Sequence, residues 1–74
     1  MTLITVKLVE GVCDDAQKAE LIERLTETVV DIQGENMRPV TWVVIDELKS
    51  GDWGVGGHPL TTEAVFAVAA EAPV

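Results

Sequence analysis

The run Val40 to Glu47 is apolar on both of its faces. Thr41, Val43 and Ile45 fall on one side, and Val40, Trp42 and Val44 on the other. A strand of this kind needs cover above and below, as strands of parallel sheets do. An earlier run, Thr2 to Val9, alternates. It sets Thr2, Ile4, Val6 and Leu8 against Leu3, Thr5, Lys7 and Val9. Its β-branched residues and period of two predict another strand. Between the two lies one helical pattern. Asp14 stands three residues before Gln17, a capping-box-like start. From Asp15 to Gln33 the residues Ile22, Leu25, Val29 and Ile32 recur at helical spacing, and Leu21, Val30 and the Lys18 stem widen the stripe. Gly34 reads as the C-cap, and Asn36 to Pro39 as a loop. Strand, helix and strand make a βαβ unit with parallel strands and a right-handed crossover. One helix covers one face of a two-stranded sheet. The other face is left for another subunit.

Size supports the same expectation. Seventy-four residues make a single domain, 1–74. A chain this short buries a low fraction of its surface, yet 47% of its residues are hydrophobic. Oligomerisation resolves that excess. The lone cysteine, Cys13, excludes an internal disulfide and fits a reducing, cytoplasmic compartment. No apolar run reaches the ~18 residues of a membrane span, and the start lacks the basic region of a signal peptide. Thirteen acids against five bases give a net charge of −8. That surface repels phosphate backbones, so nucleic acid is excluded as a partner. No Cys, His or acid cluster has metal-ligand spacing, and no cofactor is expected.

Gly51-Asp52-Trp53-Gly54-Val55-Gly56-Gly57 places four glycines in seven residues around a tryptophan. With the restart at Pro59-Leu60, this predicts a tight hairpin that holds Trp53 at its tip. Thr61-Thr62-Glu63 then starts a short helix through Val68 or Ala70, and Glu71 to Val74 is a loose tail. Gly54 to Pro59 fails as a dinucleotide loop, because Pro59 replaces the last glycine and no helix opens there. Several residues have plain readings. Lys7 is an intersubunit ion pair or a snorkelling side chain. Glu10, Asp46 and Glu47 are strand-end surface acids. His58 is a solvated loop histidine. Cys13 precedes a helix N-terminus, which can activate a thiol, but no third partner accompanies it.

Three segments in order, Val6-Lys7-Leu8-Val9-Glu10-Gly11, Gln17-Lys18-Ala19-Glu20-Leu21-Ile22 and Gly51 to Gly57, resemble the 4-oxalocrotonate tautomerase family. The resemblance covers about residues 2 to 57. It implies an α/β fold of one βαβ unit with a Gly-rich hairpin, its sheet completed by oligomerisation. It also implies a dimer with a four-stranded sheet, commonly a hexamer built as a trimer of dimers. Small pockets at subunit interfaces would bind a small-molecule ligand. There an amino-terminal proline moves a proton between keto and enol tautomers. That proline aligns with Thr2. The hydrophobic wall residue of the hairpin aligns with Trp53. Two arginines that hold substrate carboxylates align near Val12 and with Trp42.

The implied site therefore keeps its aromatic wall and changes its base and its clamp. Thr2 serves as a weak base only if Met1 is removed, which is usual before a small residue. Its free amine starts at about 7.7–8.0, and burial lowers it. Neither Val12 nor Trp42 can replace the bidentate contacts of arginine with carboxylates. Arg38, four residues before Trp42, is the candidate that could reach the pocket from the loop. Trp42 and Trp53 read as pocket walls or substrate contacts, or as seals of an oligomer interface, where tryptophan is enriched. Two functions follow from different classes. One is a tautomerase-like isomerase for a small 2-oxo acid or similar carbonyl compound. The other is a non-catalytic oligomer that binds a ligand or serves assembly.

Overall fold

The computed structural model describes residues 1–71. The tail expected from Glu71 to Val74 otherwise lies outside the described residues. Strand β1, Thr2–Val9, and strand β2, Thr41–Leu48, pair in parallel, with Thr2 opposite Thr41 and Val9 opposite Leu48. Helix α1, Asp15–Gln33, makes the crossover between them. Its start follows from local chemistry. The Gln17 backbone N–H donates to Asp14 Oδ1 at 2.8 Å, and the Asp14 N–H donates to Gln17 Oε1 at 3.0 Å. This reciprocal capping box satisfies two otherwise orphaned donors. The helix stops where Gly34, at φ 102°, turns its N–H back to the Val30 carbonyl at 2.7 Å.

The segment expected as a loop, Asn36 to Pro39, is instead part of a 3-10 helix, Glu35–Val40. Pro39 and the short span favour tight i→i+3 bonding here. That helix absorbs Val40, so β2 starts and ends one residue later than the pattern suggested. Beyond β2, strands β3, Trp53–Val55, and β4, His58–Leu60, form the expected hairpin. Gly56 and Gly57, at φ 58° and 83°, make its two-residue turn, a backbone pair that favours glycine and matches strand twist. Helix α2, Thr62–Ala69, closes the described chain with Thr61 as its N-cap.

Packing divides the sheet into two unlike faces. Ile4, Val6, Leu8, Val43 and Ile45 are half-buried on the face that α1 covers. Leu3 is 63% exposed and Trp42 56% exposed on the opposite face, with Val44 beside them. Among the described residues only Val9 and Val30 count as buried core. Each strand has one partner, so each keeps one open edge. The bare face is the surface that the doubly apolar β2 foretold.

Candidate functional site

The start of β1 and the start of β2 lie side by side because the pairing is parallel. Leu3 sits opposite Trp42 in the register. Together with Met1 and Thr2 they line an open hollow of about 210 Å³. No charged side chain lines it. Thr2 is half-buried at its edge, and its hydroxyl donates to Gln33 Oε1 at 3.3 Å. That contact ties the first strand residue to the last residue of α1. On the neighbouring strand, Thr41 Oγ1 donates to the Met37 carbonyl at 2.8 Å. The hollow is thus apolar, walled by an indole and held by two threonine contacts.

Arg38 sits in the 3-10 helix just before β2 and outside the lining of the hollow. Two carboxylates hold its guanidinium. Nη1 and Nη2 donate to Glu27 at 2.5 and 3.1 Å, and Nε and Nη2 to Glu35 at 2.6 and 3.2 Å. Hydrogen bonds from Arg38 hold both Glu27 and Glu35 below the usual carboxylate range. The same bonds hold the guanidinium firmly protonated. Any substrate carboxylate that reached Arg38 would compete with two glutamates already in place.

Trp53 lies at the opposite end of β1. It lines a second hollow of about 190 Å³ with Lys7, Leu8, Val9, Val12, Leu60 and Val65. Seven strand steps separate Thr2 from Val9, which is ~23 Å. A single subunit therefore brings Thr2 and Trp42 together, and leaves Trp53 and Arg38 elsewhere. Val12 does fall beside Trp53.

The remaining polar residues have structural partners. Lys7 pairs with Asp46 of its own subunit at 3.5 Å, across the sheet. Their facing register positions account for this. Glu47 meets Lys18 Nζ at 2.5 Å and accepts from the Gly11 N–H at 3.4 Å. The lysine bond chiefly lowers the Glu47 pKa and raises that of Lys18. Cys13 borders a shallow hollow with Gln17, Glu20, Leu21 and Arg24, away from His58 on β4. Among the described residues no His, Cys and acid group is arranged to hold a metal. No helix there is long and apolar enough to cross a membrane.

Sequence reasoning missed Leu3 in the hollow and Gln33, which contacts Thr2 beside it. Leu3 was visible only as an alternating residue of β1. Gln33, which meets Thr2, gave no signal, because a helix-end contact leaves no periodic trace.

The fold and the hollow define a small βαβ subunit with an apolar cleft at its amino-terminal strand end. The tautomerase enzyme family model matches residues 3–63. The chain belongs to this family. It is 33% identical over 61 residues to "Probable tautomerase K2" of Dickeya dadantii, covering 82% of this chain and 90% of that one. It is 34% identical over 61 residues to 2-hydroxymuconate tautomerase of Bacillus subtilis, covering 82% of this chain and 95% of that one. The crystal structure of DmpI from Helicobacter pylori superposes with a TM-score of 0.68 at 33% identity, covering 78% of this chain and 94% of that one.

Proposed function

We propose that this chain is a cytoplasmic isomerase that interconverts keto and enol forms of a small 2-oxo acid or similar carbonyl compound. The observation that carries this reading is the apolar hollow at the start of β1, lined by Met1, Thr2, Leu3 and Trp42. With Met1 removed, the Thr2 amine opens onto that hollow. It takes the proton next to the substrate carbonyl and returns it at the other end of the enol. An apolar surround favours the neutral amine and so supports a base near neutral pH. A primary amine on a threonine is less constrained than a proline nitrogen, so turnover is slow. Trp42 supplies a wall for an aromatic or neutral substrate. Trp53 and Arg38 enter the site from neighbouring copies in a dimer or a hexamer.

A second reading is favoured by the Thr2 contact. While Met1 is attached, the Thr2 nitrogen is an amide, and its hydroxyl is occupied by Gln33. The chain is then a non-catalytic oligomer that binds a ligand or serves assembly.

Intact mass and an activity assay separate the two. The assay follows enol-to-keto conversion of a simple arylpyruvate, with the parent and Thr2→Pro, both of confirmed mass. Proline is tolerated at the first residue of a strand and still permits removal of Met1. General-base catalysis is worth ~10²–10⁴-fold, and a gain of that order is expected. No gain from the correctly processed variant removes the isomerase reading and leaves the second.

A further inference from the structure

Helix α2 runs from Thr62 to Ala69, whereas the family match ends at residue 63. After Glu63 its residues are Ala64, Val65, Phe66, Ala67, Val68 and Ala69, with no polar side chain among them. A helix that is hydrophobic all round is normally buried on every side. Here one side is covered. Val65 closes the hollow that Val9, Val12, Trp53 and Leu60 line. Phe66 remains 50% exposed and Val68 63% exposed. Two residues apart on a helix of 3.6 residues per turn, they point ~160° away from each other. No rotation of α2 against its own subunit hides both.

The root of α2 is nonetheless fixed by several polar contacts. Thr61 accepts from the Ala64 N–H at 3.1 Å. Thr62 Oγ1 donates to the Glu10 carbonyl at 2.6 Å, and the Thr62 N–H donates to Ser50 Oγ at 3.0 Å. The Ser50 N–H in turn donates to Glu10 Oε1 at 3.1 Å. Gly11, at φ 77°, lets Thr62 approach, since a Cβ there would lie 3.3 Å from Thr62 Cγ2. The end of β1, the turn after β2 and the first turn of α2 are tied together. An apolar helix is held in place with its outer surface facing nothing.

We propose that α2 is an interface helix, and that its exposed surface, carrying Phe66 and Val68, packs against a second copy of this chain. This rests on the oligomeric reading above but concerns a different surface from the bare sheet face. Area favours a second copy. The bare face is two strands wide and eight residues long, ~10 Å by ~23 Å. Stable interfaces bury ~800 Å² per partner, so assembly through that face alone falls short. Charge favours it too. Each copy carries −8, and like-charged copies meet most easily on neutral patches. Residues 64–70 carry no charge. The bare face carries one opposed pair, Lys7 and Asp46.

The test is sedimentation and native mass of the full chain, comparing the parent, Phe66→Glu/Val68→Glu and Ile32→Glu. Ile32 is an exposed apolar residue on α1. The double variant is expected to shift to a smaller species, or to need at least ~10-fold more protein for half-assembly. Ile32→Glu is expected to keep the parent size. Far-UV circular dichroism checks folding, and Phe66→Gln is read by the same criterion if the double variant unfolds. An assembled parent whose α2 variants assemble at the same concentration overturns this proposal and leaves the oligomeric reading intact. So does equal dissociation by Ile32→Glu. A monomeric parent overturns both. Binding of the parent to phosphatidylcholine vesicles through Phe66 and Val68, with assembly unchanged in the double variant, assigns the helix to a membrane surface instead.

Discussion

At Thr2 the nitrogen is an amide while Met1 is attached and a primary amine once it is gone. That difference of one residue moves the amine by up to ~3.6 Å, and proton transfer depends on much finer placement. In the proposed isomerase, the neighbouring residue Trp42 sets what can lie beside the amine. Its indole forms a wall where an arginine would form a clamp. Dicarboxylic enols are therefore expected to bind poorly, and arylpyruvate-type enols better. The comparison is one of KM for the two substrate types. Saturation by a dicarboxylic enol at low micromolar concentration would contradict it, unless Arg38→Lys abolished that saturation and so revealed Arg38 as the clamp. Lysine loses the bidentate fork of arginine. Trp42→Ala should raise KM for an arylpyruvate about tenfold, equivalent to about 1.4 kcal/mol, with kcat little changed. Unchanged KM and kcat would place the indole outside the substrate's reach. These residue identities were legible in the sequence. Their distribution was not. Trp42 joined Thr2 because parallel register put Leu3 opposite it. Trp53 had no local signal to reveal how far from Thr2 a single subunit leaves it, and Arg38 had none to reveal that Glu27 and Glu35 hold it.

At the scale of elements, local chemistry carried most of the reading. The bounds of β1 and α1 were visible in alternation, helical spacing and the Asp14–Gln17 pair. The hairpin and α2 followed from glycines and threonines at fixed places. The 3-10 helix before β2 was not visible. The contact beside it between Arg38 and Glu27 spans two elements, and such a pairing leaves no periodic trace in the sequence. Asp14→Ala should cost ~0.5–2 kcal/mol of stability, as loss of an N-cap does. Chemical denaturation of the assembled protein measures it, and an unchanged midpoint would remove the cap from the account of α1. The Lys18–Glu47 pair predicts a pH dependence. Folding lowers the Glu47 pKa, so its contribution is present above the ordinary carboxylate pKa and lost as pH falls through the folded value. Lys18 is raised, so its contribution is present below the ordinary lysine pKa and lost as pH rises through its higher folded value. Glu47→Gln should flatten the acid limb of stability between roughly pH 3 and 5. An unaltered acid limb would mean that other carboxylates govern it.

The molecule as a whole leaves several large apolar side chains exposed. Leu3, Trp42, Val44, Phe66 and Val68 all lie open. Sedimentation at micromolar concentration should show a dimer or, more in keeping with the family resemblance, a hexamer. A well-folded monomer would defeat that expectation. Added salt should favour the larger species by screening the −8 carried by each copy. The open edges of β1 and β2 carry a further consequence. A row of unpaired backbone donors and acceptors is a template for any extended chain. If the proposed oligomer forms, the free subunit is the species most exposed to such pairing. Substitutions that weaken assembly should therefore raise the precipitated fraction at a fixed protein concentration, rather than yield stable single chains.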